Sequence, residues 1–287
     1  MVEVLVLGVL AVGAASLNAA FAGRPAEPFH EVVRLLTLQR RVTARADLLL
    51  ARIGVISLPV AAALAALVVP FGDRAAVDTS IGVVWFNAME VVAWASVWLA
   101  GWGANSAYAL VGGYRFIAQG LAYELPHMFA LITAALAAHS LDLRAIGEAQ
   151  DGLWYAVWMP VAFAVYLMSA LAMAFWGPFG HPVGDDLAGG AALELPGPDR
   201  VLFLAGRYGL LTVSAAVAVP LFLGGGDGPL LPGWLWSGVK ACAVLALLVW
   251  TRQRLPVLRM DRFMTVAWTV LIPATLLQML VVGIVVV

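Results

Sequence analysis

The sequence predicts an all-α polytopic integral membrane protein with about eight transmembrane helices and one interfacial amphipathic helix. Hydrophobic residues make up 63% of the 287 residues and charged residues 11%, less than half of the roughly 25% charged residues in soluble domains. Apolar runs of about 20 residues, the length that a hydrocarbon core requires, recur along the whole chain. A soluble globular domain is therefore excluded, because so little charged sequence cannot cover a water-facing surface.

Eight apolar runs define the predicted spans, and connections rich in Gly and Pro separate them. The spans lie near 2–22, 47–70, 80–101, 119–140, 153–176, 200–223, 233–251 and 263–286. The longest connections have only about 25 residues, so we expect residues 1–287 to form a single membrane domain. No basic leader precedes the first run, which we interpret as a span and not as a cleaved signal peptide.

The orientation follows from the basic residues, which concentrate on the side of the connections after spans one, three, five and seven. Thirteen of the sixteen lie on that side and three on the other, and under the positive-inside rule the richer side is cytoplasmic. We therefore expect a multi-pass protein of the cell inner (plasma) membrane, with both termini facing away from the cytoplasm.

Segment 25–46 differs from the spans because apolar and charged residues alternate in it. Phe29, Val33 and Leu36 are interleaved with residues such as His30 and Arg34, a pattern typical of a helix that lies along the membrane interface. Its basic end could contact anionic lipid headgroups or dock a partner subunit, and the pattern alone favours neither.

Ionisable residues inside spans are the first candidates for function, because a charge in the membrane is costly unless it is paired or hydrated. Glu90 lies in the middle of the third span and Glu124 in the fourth. Pro126 removes a backbone hydrogen bond beside Glu124, and a kink there could open a wet cavity for proton transfer. The alternative is that these carboxyl groups only join helices.

Other classes of site find little support. Cys242 is the single cysteine and the four histidines are scattered, so we expect no disulfide and no metal site. No nucleophile or nucleotide motif is present, so we expect no independent catalytic activity and no nucleic-acid partner. The connection 177–199 carries acids on the basic side, namely Asp185, Asp186, Glu194 and Asp199, for which a solvated loop is the simplest interpretation.

One long ungapped segment resembles the H subunit of NADH-quinone oxidoreductase, the subunit 1 family of respiratory complex I. The segment contains, in order, Trp102-Gly103-Ala104-Asn105-Ser106, Tyr108-Ala109-Leu110, Gly112-Gly113, Arg115, Gln119 and Tyr123-Glu124. A second set resembles the last cytoplasmic loop and final helix of the family and comprises Trp250, Arg252, Leu255-Pro256, Arg259, Asp261, Met264, Trp268 and Pro273. A weaker third stretch runs from Pro28 to Gly72.

The resemblance implies a subunit that joins a peripheral redox arm to a membrane arm, forms much of the quinone chamber and begins a chain of proton-coupling acids. It implies no cofactor on this chain, quinone as substrate, and FMN and iron–sulfur clusters in partner subunits. The implied partners are other membrane-arm subunits, the quinone-proximal peripheral subunits and membrane lipid. The proton-path candidates are Glu124, Glu90, Asp185, Asp186, Glu194 and Lys240. The candidates for the quinone chamber or for docking of the arm are Arg24, Phe29, Arg34, Arg115, Arg252, Arg259 and Asp261.

Several positions depart from the family pattern. Gly180 stands where an aspartate is expected, and Arg207 where a glutamate is expected. Met173 and Trp176 replace a glutamate and a basic residue ahead of Pro178. Two alternatives therefore stay open, namely a membrane anchor of an energy-converting hydrogenase-like complex and a non-pumping structural paralogue.

Overall fold

The computed structural model describes residues 2–39, 41–72, 74–150 and 152–286, with the side chains of residues 2–4 left aside. Across these residues it is helical, without strands, and its β pairing is the isolated bridge between Phe71 and Arg74. The prediction of an all-α polytopic membrane protein is confirmed. The fold is a bundle of apolar helices with shorter helices at both ends.

The helices follow one another in the order of the predicted apolar runs. Their bounds are α1 Val2–Phe21, α2 Glu27–Thr37, α3 Leu48–Ala66, α4 Gly82–Gly103, α5 Ala107–Ala138, α6 Leu143–Glu148, α7 Tyr155–Trp158, α8 Pro160–Met173, α9 Gly197–Phe222, α10 Gly233–Arg254, α11 Met260–Val266 and α12 Ile272–Val286. A π-helical turn over Ala267–Leu271 joins α11 to α12. Four short 3₁₀ turns occupy Gly177–Ala192.

Six helices of the described chain have the length and apolar character to cross a membrane. They are Leu48–Ala66, Gly82–Gly103, Ala107–Ala138, Gly197–Phe222, Gly233–Arg254 and the continuous segment Met260–Val286. Two further apolar helices, Leu5–Phe21 and Pro160–Met173, are shorter. The count of eight spans stays a prediction.

Two segments differ from their predicted extents, each for a local reason. The sequence predicts a connection over 102–118, but α5 already begins at Ala107 and contains Gly112. A Cβ atom at Gly112 would lie 2.2 Å from the backbone nitrogen of Ala191, so this glycine lets the 3₁₀ turns pack against a helix. The predicted span 153–176 is divided between α7 and α8 because Pro160 begins a new helix.

Close approach between helices is made possible by small residues, as is common in membranes. A Cβ atom at Gly54 would lie 2.4 Å from the backbone nitrogen of Ala100, and one at Gly103 would lie 2.4 Å from that of Ala51. Helices α3 and α4 therefore pack almost backbone to backbone. The side chain of Asp47 caps the start of α3 by accepting hydrogen bonds from the first-turn amides.

The connections 22–47, 104–106, 174–196 and 255–259 meet at one end of the bundle, which we name the basic end. Asn105 Nδ2 donates to the carbonyl of Ala44 at 3.1 Å, and the Leu258 amide donates to the carbonyl of Pro178 at 2.8 Å. The opposite end, with the described parts of the connections 67–81 and 139–154 and with the connection 223–232, is the far end.

Candidate functional site

The bundle interior contains a polar cluster between α4 and α5, which we name the α4–α5 cluster and define as Asn87, Glu90, Tyr123, Glu124 and His127. Asn87 precedes Glu90 by three residues, while Glu124 and His127 are separated by three on α5. Residues three or four apart share a helix face, so two antiparallel helices bring these side chains together. The two sequence candidates inside spans thus lie in one cluster.

Contacts within the cluster are direct but incomplete. Asn87 Nδ2 donates to Glu124 Oε1 at 3.0 Å, and His127 Nε2 lies 3.3 Å from Glu90 Oε2. Among the described residues, Glu124 Oε2, both oxygens of Glu90 and both nitrogens of His127 are buried without a hydrogen-bond partner of good geometry. Buried polar atoms without a hydrogen-bond partner are uncommon in proteins, and they point to a functional role or to a bound water.

Aromatic rings enclose the cluster. Trp94 Nε1 donates to the Tyr123 hydroxyl at 2.9 Å, and the His127 ring lies 5.3 Å from the Tyr166 ring and 6.2 Å from the Phe86 ring. Glu90, Tyr123 and His127 are almost completely buried, whereas Glu124 is half-buried. The arrangement places two carboxyl groups and an imidazole in an apolar surrounding, where protons can be held and exchanged.

At the basic end an open cleft of about 730 Å³ lies between α2, the segment 38–43 and the start of α9. Its lining includes the candidates Arg34 and Glu194 together with Arg41 and Arg200. Gly197 allows α2 to pack against α9, because a Cβ atom there would lie 2.6 Å from the Leu35 carbonyl oxygen. The cleft therefore results from the way α2 docks on the bundle.

Helix α2 buries Leu35 and leaves most of its apolar face uncovered within this chain. Phe29 is 57% exposed, and Val33 and Leu36 are exposed as well. Arg34 forms two hydrogen bonds with Glu31 at 2.6 and 2.7 Å, and these hold the pKa of the Glu31 carboxyl below its usual range. The candidate Arg24 lies at the start of this helix, where it pairs with Glu27 at 2.9 Å.

A third group of candidates holds the 3₁₀ turns against α5. Arg115 Nη2 lies 2.8 Å from Asp186 Oδ2, and Arg115 Nη1 donates to the His181 carbonyl at 3.3 Å. The hydrogen bond from Arg115 lowers the pKa of Asp186, whereas partial burial and then the Arg115 charge lower the pKa of the His181 imidazole. Asp185 is exposed on the same turns. Near them, Arg259 and Asp261 pair with each other at 3.1 Å, and both are exposed.

Comparison with known proteins shows which family the chain belongs to. The sequence model of the NADH dehydrogenase family matches residues 22–283. The chain is 35% identical over 268 residues to the second H subunit of NADH-quinone oxidoreductase from Geobacter sulfurreducens, covering 90% of this chain and 82% of that protein. It is 37% identical over 265 residues to the first H subunit of the same enzyme from Rhodopseudomonas palustris, covering 90% and 81%. The chain belongs to the H-subunit family of NADH-quinone oxidoreductase. Members of this family are subunits of an oxidoreductase complex, and the resemblance seen in the sequence is confirmed.

Among the departures from the family pattern, Arg207 has a clear structural role. Its Nη2 donates to the Phe175 carbonyl at 2.6 Å and its Nε to the Ala174 carbonyl at 3.4 Å. These carbonyls follow the last turn of α8, where a cation is favourable. The Arg207 and Arg252 guanidinium groups lie 4.8 and 5.0 Å from the Trp176 ring centroid. Arg207 therefore stabilises the C-terminal end of α8.

Lys240 has a similar role at the far end. Its Nζ donates to the carbonyls of Leu223, Gly225 and Asp227 at 2.7, 3.0 and 2.8 Å, which uses all three donors of the ammonium group. The Trp154 ring centroid lies 4.9 Å from the same nitrogen. Lys240 holds the turn after α9 and has no contact with the α4–α5 cluster among the interactions of the described chain.

The structure brings Glu90 and Glu124 together and leaves the other candidates in separate groups at the two ends. Sequence reasoning overlooked His127, which belongs to a set of histidines without metal-ligand spacing. The usable signal was its position, because it follows Tyr123 by four residues and Glu124 by three on one helix. Asn87 could have been found in the same way from Glu90.

Proposed function

We propose that this chain is the membrane-arm subunit of a complex I-like NADH-quinone oxidoreductase, where it lines the quinone chamber and couples quinone reduction to proton translocation. The observation that carries the proposal is the α4–α5 cluster, where buried Glu90 and half-buried Glu124 lie together and three of their four carboxyl oxygens have no hydrogen-bond partner in the described chain. Carboxyl groups in a membrane interior are costly and mark proton paths. Family membership supplies the redox context.

The cleft at the basic end is our candidate for the chamber. Its volume of about 730 Å³ falls within the roughly 300–1,000 Å³ of small-molecule sites. An apolar quinone tail would approach along the exposed face of α2 at Phe29, and its head group would meet the peripheral arm near Arg34. The remaining docking candidates, Arg24, Arg115, Arg252, Arg259 and Asp261, lie at the same end.

The electron carriers belong to partner subunits. Iron–sulfur clusters need sets of cysteines and flavin needs a nucleotide-binding fold, whereas this chain has the single Cys242. We therefore place FMN and the clusters in the peripheral arm, with this subunit between that arm and the other membrane-arm subunits. The basic end would face the cytoplasm and both termini would face away from it, in the inner membrane.

The coupling step is electrostatic. Charge that develops on the reduced quinone changes the protonation of Glu124 and its neighbours, because screening is weak in a membrane interior. The acids Asp185, Asp186 and Glu194 would connect the cleft with bulk water, since Glu194 lines the cleft and the aspartates are exposed.

The test has two parts. A tagged chain is purified from mild detergent, and co-purifying subunits are identified by mass spectrometry; quinone-reductase subunits with a NADH module are expected. Proton translocation per quinone reduced is then measured in membrane vesicles for Glu124→Gln, with Glu148→Gln as the matched control because Glu148 is 71% exposed. A fall for Glu124→Gln alone supports the proposal, whereas an active complex with an unchanged yield would overturn it.

A second candidate function is that of a structural paralogue that moves no protons. It is favoured by Arg207 and Lys240, whose side chains serve as caps for backbone carbonyls. In that case neither Glu124→Gln nor Glu90→Gln would alter proton movement. Recovery of hydrogenase subunits in the purification would instead identify the chain as the membrane anchor of an energy-converting hydrogenase-like complex.

A further inference from the structure

We propose that Glu90 and His127 form a proton-transfer pair across the α4–α5 interface, so that an imidazole joins the carboxyl groups as a proton carrier. The proposal rests on the proposed function, because it assigns a new carrier to the same path. His127 Nε2 lies 3.3 Å from Glu90 Oε2, and both side chains are 0% exposed. An acid and a base of complementary chemistry thus face each other in the bundle interior.

The hydrogen-bonding positions of His127 and Glu90 that have no partner allow a proton to pass between the two side chains. Buried polar groups are normally hydrogen-bonded, yet in the described chain no hydrogen bond of good geometry reaches either nitrogen of His127 or either oxygen of Glu90. Their separation of 3.3 Å is slightly longer than the roughly 2.6–3.2 Å at which proton transfer occurs. A small side-chain adjustment therefore aligns donor and acceptor.

The pair continues the path that includes Glu124. His127 lies one turn from Glu124 on α5, and Glu90 lies one turn from Asn87, which donates to Glu124 at 3.0 Å. The Tyr123 hydroxyl faces the Glu90 carboxyl. The two polar contacts between the helices, Asn87 with Glu124 and Glu90 with His127, are therefore adjacent steps in the interior.

The surroundings separate the pair from bulk water. The Tyr166 ring lies 5.3 Å from the His127 ring, and its hydroxyl is engaged with the Ser214 carbonyl at 2.8 Å. The titratable groups around the pair are Tyr123, Glu124 and Tyr166. Tyr166 donates its hydroxyl proton to the Ser214 carbonyl, whereas the Tyr123 hydroxyl accepts from Trp94 and keeps its own proton available to Glu90. Glu124 is the acidic neighbour that can accept or supply a proton.

The transfer balances as a simple proton exchange. A proton on Glu90 Oε2 moves to His127 Nε2, so that an O–H bond breaks, an N–H bond forms, and a carboxylate and an imidazolium result. Loss of the proton on Nδ1 to a water molecule leaves neutral imidazole and a hydronium ion, while Glu124 supplies a proton to the Glu90 carboxylate and becomes a carboxylate itself. No electrons change place. An imidazole suits this step because its two nitrogens can take up and release different protons.

A pair that only joins two helices would behave differently, and the chain offers a matched control. Ser57 and Ser96 join α3 to α4 through hydroxyl oxygens 2.7 Å apart. Ser96 is buried and carries no titratable group. Ser96→Ala therefore removes a buried link between helices without touching a proton carrier.

The first test is infrared spectroscopy of the purified full chain in lipid nanodiscs, which needs no electron transfer. The carboxyl C=O band lost in Glu90→Gln should shift or lose intensity in His127→Gln and stay unchanged in Ser96→Ala. An unchanged Glu90 band in His127→Gln would overturn the proposal. This readout is independent of turnover, so it separates failure of the pair from failure of the proposed function.

The second test measures proton translocation per quinone reduced in vesicles that contain the assembled complex. One positioned proton-transfer group contributes roughly 10²-fold or more, so we expect proton-coupled turnover in Glu90→Gln and His127→Gln to fall to about one hundredth or less. The double variant should fall no further, because both residues serve one step. Glu90→Asp, which keeps an acid, should retain most of the yield. Full coupling in His127→Gln, or additive losses in the double variant, would refute the pair.

Discussion

The variant Lys240→Met tests whether this lysine stabilises the turn after α9 or carries protons. The side chain is 6% exposed and donates to three carbonyls of the turn after α9. Hydrogen bonds to a charged group are worth roughly 1.5–3 kcal/mol each, which sets an upper bound of about 4–9 kcal/mol for the three together. A neighbouring cleft of about 270 Å³ is lined by residues of this turn, so water can solvate part of what is freed. We therefore expect a loss of about 2–4 kcal/mol in the free energy of unfolding.

The assay is thermal unfolding of the purified chain in detergent, followed by intrinsic tryptophan fluorescence. A loss of that size should lower Tm by about 5–10 °C. Arg144→Met is the matched control, because Arg144 lies at the same end, is 40% exposed and pairs with Asp78 at 3.1 Å. An exposed ion pair contributes about 1 kcal/mol or less. If Lys240→Met left Tm unchanged but abolished proton translocation in the complex, the stabilising role would be refuted and the lysine would belong to the proton path.

Three further predictions concern folding. Gly112→Ala should cost about 1–3 kcal/mol, because the new Cβ would lie 2.2 Å from backbone; Gly238→Ala, with open space around it, should have little effect in the same melting assay. Asp47→Ala should cost about 1 kcal/mol through loss of the helix cap, and Asp47→Asn should restore most of it. The hydrogen bond from Arg115 lowers the pKa of Asp186, so this pair stabilises the fold above the unfolded pKa of about 3.9. The stabilisation is lost as pH falls through the pKa of Asp186 in the folded protein. In Asp186→Asn, Tm should therefore vary less with pH over that acidic range, and an unchanged pH profile would contradict the prediction.

Composition and apolar run length were sufficient to predict the membrane class, because both report directly on the solvent that the chain must face. They were not sufficient for the segments around residues 102–118 and 153–176. Gly112 has the local signature of a connection, but it lies within α5 to admit the 3₁₀ turns. The local sequence does not distinguish a glycine that ends a helix from a glycine within a helix that makes room for a neighbouring backbone. Tertiary contacts decide which of the two roles a glycine has.

The candidate site was predictable in part for a similar reason. The cost of a charge inside a span identified Glu90 and Glu124 without any structure. The partner of Glu90 could not be identified, because the rotation of α4 against α5 decides whether His127 faces a carboxyl group or lipid. Helix spacing could have placed His127 on a face next to Glu124, but one helix alone does not show what lies opposite that face.

The ionisable groups within the bundle divide into two kinds, according to whether backbone carbonyls hold them. Lys240 is held by three backbone carbonyls, and Arg207 by two carbonyls and two aromatic rings. A cation held in this way is a poor proton carrier, because releasing a proton would break the contacts that fix a helix end. Glu90 and His127 differ from these cations, because their buried polar atoms have no hydrogen-bond partner in the described chain. A proton can therefore move between them without breaking a contact that holds the backbone. Under the proposed function, the arginine at position 207, where the resemblance leads us to expect a glutamate, would leave the end of α8 without a carrier, and the α4–α5 cluster would supply one in the bundle interior.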